Sequence, residues 1–123
     1  MGVQARVLKI TLPLPPNMAN SRTHWRKKNR QQRDYSLLCY VWSSDRPAAP
    51  FSKATISAMV YTWSPMDMDN LMARLKWPVD FLVSAGWLVD DNPDVLTWVM
   101  PRQAVDRKHR RVEITLTEES SDE

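Results

Sequence analysis

With 123 residues the chain has room for one domain and one hydrophobic core, and its 43% hydrophobic and 25% charged residues are ordinary for a globular protein. No apolar run approaches the ~18 residues of a membrane span, so a membrane protein is not expected, and a lone cysteine, Cys39, excludes an internal disulfide and fits a reducing compartment. The formal net charge is +3, but Glu118, Glu119, Asp122 and Glu123 crowd the end of the chain; 17 Lys and Arg against the ten other acids leave +7 for the rest, a body suited to an anionic partner such as nucleic acid.

The chain does not open on a charged segment followed by an apolar stretch, so no signal peptide is expected. "ARVLKITL", Ala5 to Leu12, alternates in part, with Val7, Lys9 and Thr11 on one side and Leu8, Ile10 and Leu12 on the other, which predicts a strand. Pro13 to Pro16 ends it. "NMANSRTHWRKKNRQQRDY" is loop-like in its first half and a polar helix start in its second. From about Arg30 to Ser44 the positions of Leu37, Leu38, Tyr40, Val41 and Trp42 suit a helix, broken by Pro47 and Pro50. "FSKATISAMVYTW", Phe51 to Trp63, is rich in β-branched and aromatic residues and predicts a second strand stopped by Pro65.

From Asp69 or Asn70 to Ala85, Leu71, Leu75, Val79, Leu82 and Ala85 follow helical spacing, with Asp69 as the expected N-cap and Gly86 as the C′ residue. Pro78 lies well inside and predicts a kink or break near Arg74. "DVLTWVMP" and "RRVEITLT" predict two more strands, joined by a basic loop "RQAVDRKHR". The order β-α-β-α-β-β implies an α+β fold: a mixed sheet of about four strands with two helices packed on it. The expected organisation is a single domain over 1–117 and an acidic, disordered tail over 118–123.

The acids outside the tail are unevenly placed. Asp67 and Asp69 stand at one end of the second predicted helix, and Asp90, Asp91 and Asp94 follow its other end. Side chains at i and i+2 of an extended segment point the same way, so Asp67 and Asp69 can converge. Carboxylates that close repel unless a cation neutralises them. Hard cations such as Mg²⁺ accept one or two carboxylates plus water and phosphate oxygens, a set useful for phosphodiester chemistry. A helix cap explains one Asp here without any function, and Asp90-Asp91 with Asn92, Pro93 and Asp94 reads equally well as a turn. A straight helix from 70 to 85 would separate its ends by roughly 24 Å, so joining the two groups needs the chain to return or the helix to shorten.

"DMDNLMARLKWPVDFLVSAGWLVDD" resembles the central signature of RusA-type Holliday junction resolvases, which runs roughly D-x-D-N-L, Lys, D-x-L, A-G, D-D. "ITLPLPPNMANSRTHW" resembles that family's opening strand and Pro-Pro-Asn loop, and "RRVEITLT" its last strand. The similarity covers most of residues 7 to 117. It implies a homodimeric, Mg²⁺-dependent endonuclease (with Mn²⁺ as a substitute ion) that cuts four-way DNA junctions in the cytoplasm of a bacterial or phage-infected cell. It carries over Asp67, Asp69 and Asp91 as metal-binding catalytic carboxylates, Asp90 as a supporting carboxylate and Asn70 as the motif's Asn. The family's Lys lies four residues after the second Asp, where this chain has Ala73. Counting back from the D-D end places Lys76 on that Lys, with Arg74 as the substitute.

Two basic clusters, together with Asn70 and Arg74, are the expected DNA contacts. The first is Arg22, Arg26, Lys27, Lys28, Arg30 and Arg33, with His24 and Trp25 among them; the second is Arg102, Arg107, Lys108, Arg110 and Arg111. Such groups neutralise phosphates and release counterions, with little sequence information. Trp42, Trp63, Trp87 and Trp98 are assigned to core or dimer interface, the methionines to gap-filling, and Cys39 to a small buried hydrophobe. A Ser-His-Asp order, a Gly-rich phosphate loop, CxxC spacing and a complete EF-hand are all absent from the sequence.

Overall fold

A computed structural model describes residues 6–16, 25–43 and 46–119. Its elements are β1 (Val7–Pro13), α1 (Trp25–Trp42), β2 (Ala54–Thr62), α2 (Met68–Ser84), β3 (Leu96–Trp98), β4 (Arg102–Val105) and β5 (Arg111–Glu118). The strands form one mixed sheet in the order β1-β5-β2-β3, with β4 also paired to β2. The architecture is α+β, a sheet with two helices.

The period-2 pattern of the strands explains which face is covered. On β2 the residues Ala54, Ile56, Ala58, Val60 and Thr62 are buried and the alternating ones are half-buried. Val112, Ile114 and Leu116 of β5 and Ile10 and Leu12 of β1 fall on the same inward rows, because Ile10 pairs Ile114 and Ile114 pairs Ala58. The helices cover this face. Leu71, Leu75, Val79, Phe81 and Leu82 of α2 and Tyr35 and Cys39 of α1 complete one core with it. Tyr40 meets Phe81 edge-on at 4.9 Å, and the Tyr35 hydroxyl donates to the Pro13 carbonyl at 2.7 Å, tying α1 to the end of β1.

Three expectations are corrected. The basic loop "RQAVDRKHR" contains a strand: β4 runs parallel to β2, continuing the line of β3. Ile56 pairs Trp98 and Met59 pairs Arg102, so the β3–β4 side carries one extra residue at Val99–Pro101, a bulge that removes the periodicity a strand would need to be legible. Second, α2 passes unbroken through Pro78, which is buried between Trp77 and Val79; docking of that apolar face outweighs the single hydrogen bond a proline removes. Third, Glu118 belongs to β5 and not to a tail: its carboxylate binds the Arg6 guanidinium at 2.8 and 3.2 Å, and Glu119 accepts from the Thr55 hydroxyl at 2.8 Å. The start of α1 at Trp25 agrees with the polar helix start read in that segment.

Candidate metal and phosphate site

The corner where β2 ends and α2 begins is built by two side chains. Thr62, 1% exposed, donates its hydroxyl to the Ser64 carbonyl at 2.9 Å and so shapes the turn Trp63–Ser64. Gln103 of β4 holds the backbone of Met66 from both sides: Met66 N–H donates to Gln103 Oε1 at 2.9 Å, and Gln103 Nε2 donates to the Met66 carbonyl at 2.7 Å. The next residue, Asp67, is thereby placed as the N-cap of α2. Its Oδ1 accepts from Asn70 N–H at 2.8 Å, and its extended backbone (ψ 170) ends the incoming segment. The cap is therefore Asp67, not Asp69. Asp69 sits exposed in the first turn, where the helix dipole favours negative charge.

A cleft of about 410 Å³ opens at this corner, and Asp67, Asn70, Arg74, Arg110 and Trp63 line it. Asn70 and Arg74 are four apart on α2 and so share a face. Arg110 arrives from the β4–β5 connection, whose shape is set by Arg111. That guanidinium donates to Asp106 Oδ2 at 3.0 Å, to Glu113 Oε2 at 2.9 Å and to the His109 carbonyl at 2.8 Å, and lies 3.8 Å from the Tyr61 ring centre. Asp106 in turn accepts from the backbone N–H groups of Lys108 and His109. The hydrogen bond from Arg111 holds the Asp106 carboxyl below its ordinary range. Arg111, expected among the DNA-contacting residues, is thus engaged in fixing the loop.

Arg74 has a different environment. One N–H donates to the Pro15 carbonyl at 3.0 Å, while its Nε is buried with no hydrogen-bond partner. Burial first, and then the charge of Arg110, work against its positive charge. Lys76 does not share this cleft. It lines a neighbouring one of about 390 Å³ with Lys28, Ala73, Trp77 and Pro16. Of the two cations weighed for the family's Lys position, Arg74 lies with Asp67 and Asn70, and Lys76 lies with Lys28.

Asp90 and Asp91 stand elsewhere. After Gly86, whose φ of 89° closes the helix, Leu88 bridges to Phe51 and Ala54 N–H donates to the Val95 carbonyl, so this turn lies at the start of β2. Asp67 lies at the end of β2, and α2 spans the distance between them, about 25 Å for 17 residues. Both Asp90 oxygens are used locally: Oδ1 accepts from Asp91 N–H at 2.7 Å and Oδ2 from the Asn92 amide at 3.1 Å. Asn92 Oδ1 accepts from the N–H groups of Asp94 and Val95. Among the described residues no group of three or more His, Cys, Asp or Glu is gathered that could hold a metal ion.

The first basic cluster lies on the opening turns of α1, where Trp25, Arg26, Lys27, Lys28, Arg30 and Arg33 are exposed; Arg22 and His24 lie outside the described residues. In the second, Arg102, Arg107, Lys108 and Arg110 are exposed. Sequence reasoning missed three residues at the corner. Trp63, assigned to core or interface, is 56% exposed, with the guanidinium carbons of Arg107 and Arg110 at 5.3 and 5.6 Å from its ring centre. Thr62 and Gln103 carried no signal, because their partners are backbone groups distant in sequence or fixed by a turn. Trp42, Met68, Met72 and Met100 are likewise exposed, not packed inside. The chain matches no family model and no curated protein.

Proposed function

We propose that this chain is a Mg²⁺-dependent endonuclease acting on branched DNA, with the four-way junction as its substrate and a two-fold dimer as its working form. The observation that carries this reading is the corner itself. Asp67 and Asp69 stand at one helix start, with Arg110 in the cleft on one side and Lys76 and Lys28 in the cleft on the other. The resemblance around D-M-D-N-L supports the same assignment.

The donor set suits a hard cation. Asp67 keeps one carboxylate oxygen beyond its cap bond and lines the cleft, and Asp69 is exposed two residues on, in the first turn of α2. One or two carboxylates completed by water and phosphate oxygens are what Mg²⁺ ordinarily accepts. A bound cation would supply Lewis-acid polarisation and an acidified water. The chain's own residues would hold the ion (Asp67, Asp69), orient the strand (Asn70) and hold backbone phosphates through the basic clusters on α1 and the β4–β5 connection. Asp91 joins that set only if a second copy of the chain brings it there, because α2 separates the two groups within one copy. Paired cuts across a junction would follow from the two-fold axis.

The placement of Asp90 and Asp91 at the other end of α2 from Asp67, with both Asp90 oxygens used within the turn, favours a second reading: a branched-DNA-binding protein that does not cut. The deciding experiment incubates a synthetic four-way junction with Mg²⁺ and wild type, Asp69→Asn, or wild type with EDTA. Paired nicks near the branch point from wild type with Mg²⁺ alone are expected. Retarded but uncut junction in all three supports the binder. A protein that ignores the junction overturns both.

A further inference from the structure

We propose that Arg74 and Arg110 form a binding site for a single phosphate group, a backbone phosphate of nucleic acid. The ligand class rests on the nucleic-acid reading above; the site itself rests on geometry alone.

The two guanidinium groups come from different elements, α2 and the β4–β5 connection, and together line both the Asp67 cleft and an adjoining cavity of about 310 Å³ bounded by Pro13, Pro16 and Trp42. Neither is paired with a carboxylate among the described residues: the ion pairs there are Arg6 with Glu118 and Arg111 with Asp106 and Glu113. Two like charges in one place are unfavourable unless an anion joins them. Arg74 is anchored through one N–H to Pro15, which leaves its buried Nε facing no acceptor. A buried donor of that kind is costly, and a tetrahedral oxyanion offers acceptors for it and for Arg110 at once. The lowered basicity of Arg74 has the same origin, since its first cause is burial and its second is Arg110. The loop that carries Arg110 is pre-set by Arg111 and Asp106, so little ordering is required on binding. Asn70 lines the same cleft and supplies a neutral donor. The nearby carboxylate of Asp67 limits the site: an anion must approach from the Arg side, or with a cation on Asp67.

The test uses the full chain without metal. Arginine Nε–H resonances are followed by NMR as inorganic phosphate is added at constant ionic strength, and then as a 5′-phosphorylated trinucleotide or its unphosphorylated form is added. Expected are saturable shifts of Arg74 and Arg110 with inorganic phosphate and with both trinucleotides, since each carries the internal phosphodiesters of a nucleic-acid backbone. Arg110→Gln, a change at an exposed position that leaves the fold intact, should weaken binding by roughly 10- to 100-fold, as for loss of a charged hydrogen bond. Lys53→Gln, at an exposed position outside both cavities and both basic clusters, should leave it unchanged. Absence of shifts at Arg74 and Arg110, or equal losses in Lys53→Gln and Arg110→Gln, overturns the site. Phosphate binding with no response to either trinucleotide overturns the ligand class. Because no cation and no junction are used, failure here leaves the cleavage reading standing, and failure of cleavage leaves this site standing.

Discussion

The two acidic groups at the ends of α2 are alike in composition and unlike in what surrounds them. At the Asp90–Asp91 turn both Asp90 oxygens are answered by neighbours one or two residues away. At the Asp67–Asp69 corner the geometry is imposed from outside, by Gln103 and Thr62, and the cations lining the cleft are Arg74 of α2 and Arg110 of the distant β4–β5 connection. The difference teaches that an Asp is available for a ligand when its own segment is held by others. Where the Asp itself holds the segment, its oxygens are occupied. Asp67 is intermediate, with one oxygen in the cap and the other uncommitted.

The largest effects should come from substituting the carboxylates. Asp69→Asn is expected to lower Mg²⁺-dependent junction cleavage by about 100-fold or more, in line with losing a charge beside a metal, while junction binding measured by gel retardation persists. Asp90→Asn should leave cleavage within a few-fold of wild type, since its role is a turn. Equal losses in both would break the contrast between the two groups and place the turn in the site.

Next in size is the frame of the corner. Gln103→Ala removes both bonds to Met66 and leaves its backbone groups unanswered, at a cost of about 1–3 kcal/mol, read as a shift of the urea midpoint. Thr62→Val, nearly isosteric at a buried position, should cost about 1 kcal/mol and blur the amide signals of Trp63 and Ser64. A neutral Gln103→Ala would mean that Asp67 is placed by its own cap alone.

Smaller is the pH response of the β4–β5 connection. The Asp106 carboxyl is held below its ordinary value by Arg111, so its contribution is present above the unfolded carboxyl value and is lost as pH falls through the lower, folded one. The carbon resonance of the Asp106 carboxyl should therefore titrate below the free-Asp range, and Arg111→Lys should return it towards that range. Smallest is Cys39. Its thiol is wholly buried and pushed up to about 11, chiefly by burial, so a disulfide-forming reagent at pH 8 should leave it unmodified until denaturant is added.

Much of this fold was legible in the chain. Strands with clean alternation, β1, β2 and β5, and the apolar face of α2 announce themselves, because a half-buried strand and an amphipathic helix impose periods of 2 and 3.6 on their own residues. Gly86 after the last apolar turn announces the helix end, and Cys39 within an apolar stretch announces its burial. β4 was not legible: a bulge and a single turn of strand leave four residues with no pattern. The start of α1 was legible only from its polar composition, since Trp25 to Arg30 are exposed and carry no apolar stripe. Asp67 rather than Asp69 as the cap is a matter of two residues, within which the local sequence offers the same side chain twice.

The sequence by itself determined the fold class, the inward rows of the sheet, the burial of Cys39 and the gathering of acids at the ends of α2, because each follows from neighbours within a few residues. Only the tertiary structure decided which side chains share a cleft and which stand apart. Arg74 and Arg110 are 36 positions apart, Gln103 and Met66 are 37 apart, and Asp69 and Asp91 are 22 apart yet lie towards opposite ends of a helix. Sheet pairing, which brings distant segments together and sends nearby ones apart, sets those distances, and no local pattern encodes them.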